Sequence, residues 1–222
     1  AHRWTLKGRA KVTGPVELDE LSVHGDLAIA GPAQVDRWEA DGHLTVEGEA
    51  SGKGPWRCAG EHRFGAGVTV QSLEARGRVD VGGTLQAVQQ IAVHGTLDVG
   101  GDVRGGAVAW HGAAAITGEV RASSIAITTV GPSKVAALRA DTIRVDRPGG
   151  RFAANPATLD VLEIEGKDVH LTGVVAQYVK ADRITVGPGC RLAQVDGTVV
   201  SRDASSHIGP QSRSPKPYGL SR

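Results

Sequence analysis

The sequence predicts an all-β fold of one kind, a single-stranded parallel β-helix (β-solenoid) of about ten coils with a disordered C-terminal tail. Three observations carry that prediction. Glycines recur at a fixed spacing, apolar residues alternate with polar ones between them, and aromatic side chains make up only 4% of the chain.

The spacing comes first. Gly8, Gly25, Gly77, Gly95 and Gly112 lie on a beat of 17 or 18 residues, and a second column of Gly14, Gly31, Gly83, Gly101 and Gly118 keeps step with it. The segments LSVHGDLAIAG (21–31), IAVHGTLDVGG (91–101) and VAWHGAAAITG (108–118) are one repeated unit. A second unit recurs as RASSIAI (121–127), RADTIRV (139–145) and KADRITV (180–186), with LDVLEI (159–164) as a looser copy. A fixed period over this length marks a repeat architecture.

Within each unit Leu21, Val23, Leu27 and Ile29 alternate with polar residues, as do Ile91, Val93, Leu97 and Val99. Period two means strand, one face in and one face out. Glycine then supplies the corners, where φ is free to be positive. Even KVAALRADTI (134–143), which could be drawn as a helix, matches RASSIAI in phase and reads as strand. Roughly six residues per side and three sides make a coil of about 18, stacked about 4.8 Å above its predecessor. The interior of such a rod is narrow, which suits Val, Ile, Leu and Ala. Trp110 stands in the column of Val23 and Val93, so the Ala113–Ala115 run beside it is expected to make room for the indole.

Some stretches break the beat. Val23 to Val46 is 23 residues, one side's worth of insertion. Residues 52–67, GKGPWRCAGEHRFGAG, read as a Gly-rich bulging interruption of the rod (1–200). Ile143 to Leu162 is 19 residues and Leu162 to Ile184 is 22, so longer corners are expected there. From Ser201 the alternation gives way to Ser, Arg and Pro, so 201–222 reads as a disordered basic tail. Its Arg202, Arg213, Lys216 and Arg222 against Asp203 give +3, leaving −2 on the other 200 residues of a chain whose net charge is +1. That balance argues against nucleic-acid binding by the rod.

The longest unbroken apolar runs, such as Ala113–Ile116, are four residues, far below the roughly 20 of a membrane helix, and the N-terminal residues lack the apolar stretch of a secretory leader. The chain has no Met, so the native start, with any leader, is expected to lie outside this sequence. Cys58 and Cys190 are too few and too far apart for a disulfide framework or a CxxC site, and read as idle thiols.

A search for chemistry finds no catalytic motif. GEASGKG (48–54) lacks the spacing of a phosphate loop and the Ser or Thr that should follow Lys53. His24, His94 and His111 each precede a column glycine, and His94 and His111 are expected to stack on adjacent coils. Solenoid acyltransferases and carbonic anhydrases use coil-edge histidines as base or zinc ligand, but need three converging ligands or an orienting partner. No such pattern is present, and no catalytic, cofactor or metal residue is assigned.

A solenoid's sides are satisfied and its ends are not, since each terminal strand keeps a row of unpaired N–H and C=O groups. No capping helix is evident at either end. The candidate polymerisation interface is therefore Leu6 and Val12 at one end and Leu192, Val195 and Val199 at the other.

The Gly-punctuated units over about residues 4–200 resemble bactofilins, the bacterial polymer-forming cytoskeletal proteins. RADTIRVDRPGG, LDVLEIEGKDVHLTGVVAQYVKADRITVGPGCRL and above all VGPGC (186–190) are similar to the longer Firmicute-type members. The resemblance implies a right-handed β-helix that polymerises without nucleotide and acts as a scaffold in cell shape or motility-organelle assembly. It also implies a cytoplasmic location, often at the inner face of the membrane. On that reading the partner is a second copy of the chain, with a membrane surface or client protein engaged by the tail, and no cofactor is needed. A left-handed β-helix enzyme and a secreted β-solenoid adhesin are the alternatives.

Overall fold

The computed structural model describes residues 2–148, 158–209 and 211–212. Among them there is no helix, and the strands form one 16-stranded sheet whose pairings are all parallel. The chain is a β-solenoid. One inward column runs from Trp4 through Leu21, Trp38, Trp56 and seven further residues to Val199, marking about 12 turns where the sequence predicted about ten. At roughly 4.8 Å per coil the rod is roughly 55 Å long.

Each coil has three sides with two inward residues apiece. In the second coil these are Leu21 and Val23, then Leu27 and Ile29, then Ala33 and Val35, all at most 2% exposed. The corner between the first and second sides carries the glycine column. Gly8, Gly25, Gly42, Gly60, Gly77, Gly95 and Gly112 pair one to the next through seven coils, with φ between 100 and 144°. Positive φ alone favours glycine there. Contact adds a second reason, since a Cβ on Gly77 would lie 2.2 Å from the carbonyl oxygen of Gly60. Beyond Gly112 the column passes to Thr129 and the ladder ends.

The stretch 52–67 is not an interruption. Pro55–Phe64 is a strand in register with both neighbours, Gly60 between Gly42 and Gly77. Its inward residues are Trp56, Cys58, His62 and Phe64, and the alternation is regular once these are counted as core. Nor is there an insertion between Val23 and Val46. Val23 is followed in its column by Ala40, while Val46 belongs to the column of Ile29. Near the C-terminal end Ile143 pairs with Val169 and Val169 with Ile184, so the extra length falls between Asp146 and Leu159, most of it outside the described residues. Leu162 points outward and is 52% exposed. LDVLEI accordingly lies on other sides of the coil than the units it loosely copies. The strand reading of 134–143 holds within Ser133–Asp146.

The core is not too narrow for rings. Trp38, Trp56, Phe64 and Trp110 are all buried, and Trp38 and Trp56 meet at 4.7 Å between centroids, with Phe64 5.9 Å from Trp56. The adjacent inward column supplies the room, holding Ala40, Cys58 and Ala75 across these coils. Trp56 Nε1 donates to the Val35 carbonyl at 2.9 Å, and a Cβ on Gly52 would lie 2.7 Å from that nitrogen. Trp110 is buried as expected, but only Ala114 of the three alanines faces inward with it.

The solenoid also continues past Ser201. Arg191–Arg202 runs through it, and His207–Ile208 and Gln211–Ser212 pair with Arg191–Leu192 and Val195–Asp196 to begin a last coil. The rod therefore extends to at least Ser212, and residues 213–222, the rest of the expected tail, lie outside the described residues.

Candidate functional site

Among the described residues, the first strand has a neighbour on one side only. Arg3–Thr13 pairs only with the strand that follows it, so Trp4, Leu6, Ala10 and Val12 are half-buried. The residues beneath them in the same columns, Leu21, Val23, Leu27 and Ile29, are fully covered. Leu6 and Val12 thus lie half-buried on the first strand. The cations beside them are answered from below, Arg3 by Glu20 at 2.5 Å and Arg9 by Asp26 at 2.8 Å. Lys7 and Lys11 are exposed on either side of the Gly8 corner.

At the other end the prediction needs correcting. Leu192 and Val195 are at most 1% exposed because Ile208 and Gln211 pair over them in the last coil. A charge at either would break the core rather than the interface. Val199 is half-buried and, with Ile208, stands on the last coil among the described residues. That coil is partly closed by its own turn. Arg202 donates from Nε and Nη2 to the Ser206 carbonyl at 3.1 and 2.7 Å, and Ser206 Oγ accepts from Cys190 N and donates to Gly187 O. Asp203 accepts from Ser205 N and Oγ, which holds its carboxyl below the usual range.

Along the sides, charge is organised as ladders between coils. His43 Nδ1 lies 3.2 Å from Asp26 and its Nε2 3.6 Å from Glu61, so Asp26 stands between Arg9 and His43. The Arg9 hydrogen bond lowers the Asp26 pKa, and a backbone hydrogen bond from Glu119 lowers that of Asp102. These exposed pairs fix register more than they add stability. His94 and His111 stack on adjacent coils as expected, ring centroids 6.0 Å apart, but neither has an orienting partner among the described residues. His24 is exposed in the same column. No three His, Cys, Asp or Glu side chains among the described residues converge as metal ligands would. Cys58 and Cys190 are buried free thiols in different parts of the rod, and burial pushes Cys58 up to about 12.

Sequence reasoning missed His62. It is 2% exposed in an inward column between Leu44 and Val79, and neither ring nitrogen has a hydrogen-bond partner. Desolvation lowers its pKa, and the Ala59 backbone offsets part of that. The signal was its place in the alternation, two residues before Phe64.

No family model, curated protein or solved structure matches the chain. No helix among the described residues is long and apolar enough to cross a membrane.

Proposed function

We propose that this protein is a self-assembling scaffold whose β-solenoids stack end to end into filaments without nucleotide, as the resemblance to bactofilins implies. The observation that carries this reading is that, among the described residues, Arg3–Thr13 pairs on one side only and leaves Trp4, Leu6, Ala10 and Val12 half-buried. An incoming parallel strand would satisfy the unpaired N–H and C=O groups of that edge and cover four apolar side chains. Repeated without closure, such a head-to-tail or end-to-end contact makes a filament. A role in cell shape or motility-organelle assembly, at the cytoplasmic face of a membrane, belongs to the same proposal.

Electron microscopy of the purified full chain without nucleotide tests it. Filaments are expected, and Leu6→Glu with Val12→Glu should abolish them while circular dichroism keeps its β signal. Discrete trimers with bound zinc, or filaments unchanged by the double substitution, would overturn it.

A further inference from the structure

The second side of the rod changes character along its length. Its two outward columns begin with charge or polarity, as at Lys11 and Arg63. Over the last six coils they form an open groove of about 920 Å³ whose floor holds Ala136, Val175, Ala193 and the exposed Leu162. Charged residues also stand there, but differently from elsewhere. Lys134, Asp160 and Arg191 make no ion pair among the described residues, although Lys134 and Asp160 are register neighbours on adjacent coils. On the third side of the rod such neighbours do pair, as Glu165 does with Lys180. An apolar strip flanked by unanswered charges of both signs marks an interaction surface.

From its order along the rod, we infer that the occupant is a second copy of this chain, laid antiparallel on the same face. The outer column reads Asp80, Asp98, Ala115, Lys134, Asp160, Val175, Arg191, His207 on eight successive coils. A twofold axis along the strands, midway between the coils of Lys134 and Asp160, sets each residue against its mirror position. Lys134 then faces the partner's Asp160, Ala115 the partner's Val175, Asp98 the partner's Arg191 and Asp80 the partner's His207. Every charge meets its opposite or a histidine. The second column follows the same operation, setting Ala136 against the partner's Leu162 and Gly100 against the partner's Ala193. Large meets small, and glycine leaves room for close approach. Such self-complementarity is what an isologous contact requires. Asp98 already holds Arg78 at 2.6 Å, and a carboxylate has lone pairs for a second guanidinium.

The size fits as well. Eight coils at about 4.8 Å and a side of six residues at about 3.3 Å cover roughly 760 Å² on each copy, close to the roughly 800 Å² per partner of a standard interface. This pairing is lateral and does not depend on end stacking.

The test separates the two contacts. In the end-blocked Leu6→Glu/Val12→Glu chain, sedimentation should show a dimer of twice 23.0 kDa. Arg191→Asp should weaken it about tenfold or more, and Asp98→Arg/Arg191→Asp should restore it. The rescue is specific to the antiparallel register, because residues 98 and 191 lie five coils, roughly 24 Å, apart in one chain. A monomer with the face intact, a dimer indifferent to Arg191→Asp, or a double reversal without rescue would overturn the inference. The last two outcomes would point to another occupant, such as residues 149–157 of the same chain. Should the end-blocked chain not fold, electron microscopy of the otherwise unaltered protein decides. Doublet filaments are expected, becoming single-width with Arg191→Asp and doublet again with the double reversal. Single-width filaments from the unaltered chain would refute the pairing.

Discussion

His62 gives this rod an acid sensitivity that can be worked out in advance. Its imidazole is buried between Leu44 and Val79 with both nitrogens unpartnered, and desolvation holds its pKa below the ordinary 6.5. The folded state therefore keeps the ring neutral at a pH where the unfolded chain already protonates it. The unfolded state then binds more protons, so stability rises with pH and is lost as pH falls below about 6.5. While the folded ring stays neutral, the loss between pH 7 and 5.5 is about 1.3 kcal/mol, from RT ln(1 + 10^(6.5 − pH)). Leu replaces His62 in a column that already holds Leu44, and removes both the titration and the unpaired nitrogens. Urea unfolding followed by tryptophan fluorescence suits the measurement, since Trp56 shares the coil of His62 and Trp38 lies on the coil before it. The stability of wild type minus that of His62→Leu should fall over that range, by at most about 1.3 kcal/mol, at constant ionic strength. The lowered carboxyls Asp26, Asp102 and Asp203 titrate below their ordinary 3.8 and so lie outside the window. Equal pH slopes in the two proteins would refute the reasoning.

Three further outcomes are expected. Gly77→Ala meets the Gly60 carbonyl and should cost about 2–4 kcal/mol, whereas Gly8→Ala, at the same kind of φ with nothing within 4 Å, should cost about 1–2, by thermal unfolding. Trp56→Phe keeps a ring but strands the Val35 carbonyl, and should cost about 1–3 kcal/mol by the same measurement. The Cys58 thiol, pushed up to about 12, should resist alkylation in the folded protein at neutral pH and react at once in denaturant, read by mass spectrometry.

What could be read from the chain without coordinates was whatever is local. A glycine needing positive φ and a period-two run such as Leu21–Ile29 declare themselves within a few residues. Residues 52–67 did not, because a Trp, a Cys and a His count as core only when the facing coils offer space. Here that space comes from Ala40, Ala75 and Gly52, up to about 20 positions away. Leu162 misled for the opposite reason, since an apolar residue was assumed to be an inward one. Leu192 and Val195 were placed at an end because the residues that cover them follow a polar turn, Asp203–Ser206, that looked like the start of a tail. The charge order on the second side is invisible until register sets Asp98 and Arg191 in one column.

The glycine ladder has a mechanical consequence. Load applied along the chain would peel a solenoid one coil at a time, and a coil of 17 residues freed to full extension yields about 60 Å against the roughly 5 Å of height it occupied. The rod is thus a store of length that resists until a coil gives. The seven coils pinned through Gly8–Gly112 share one corner geometry and should yield at one force. The five from Thr129 onward do not share it. Tension along the rod would therefore be relieved first from the C-terminal coils, leaving the laddered coils as its inextensible part.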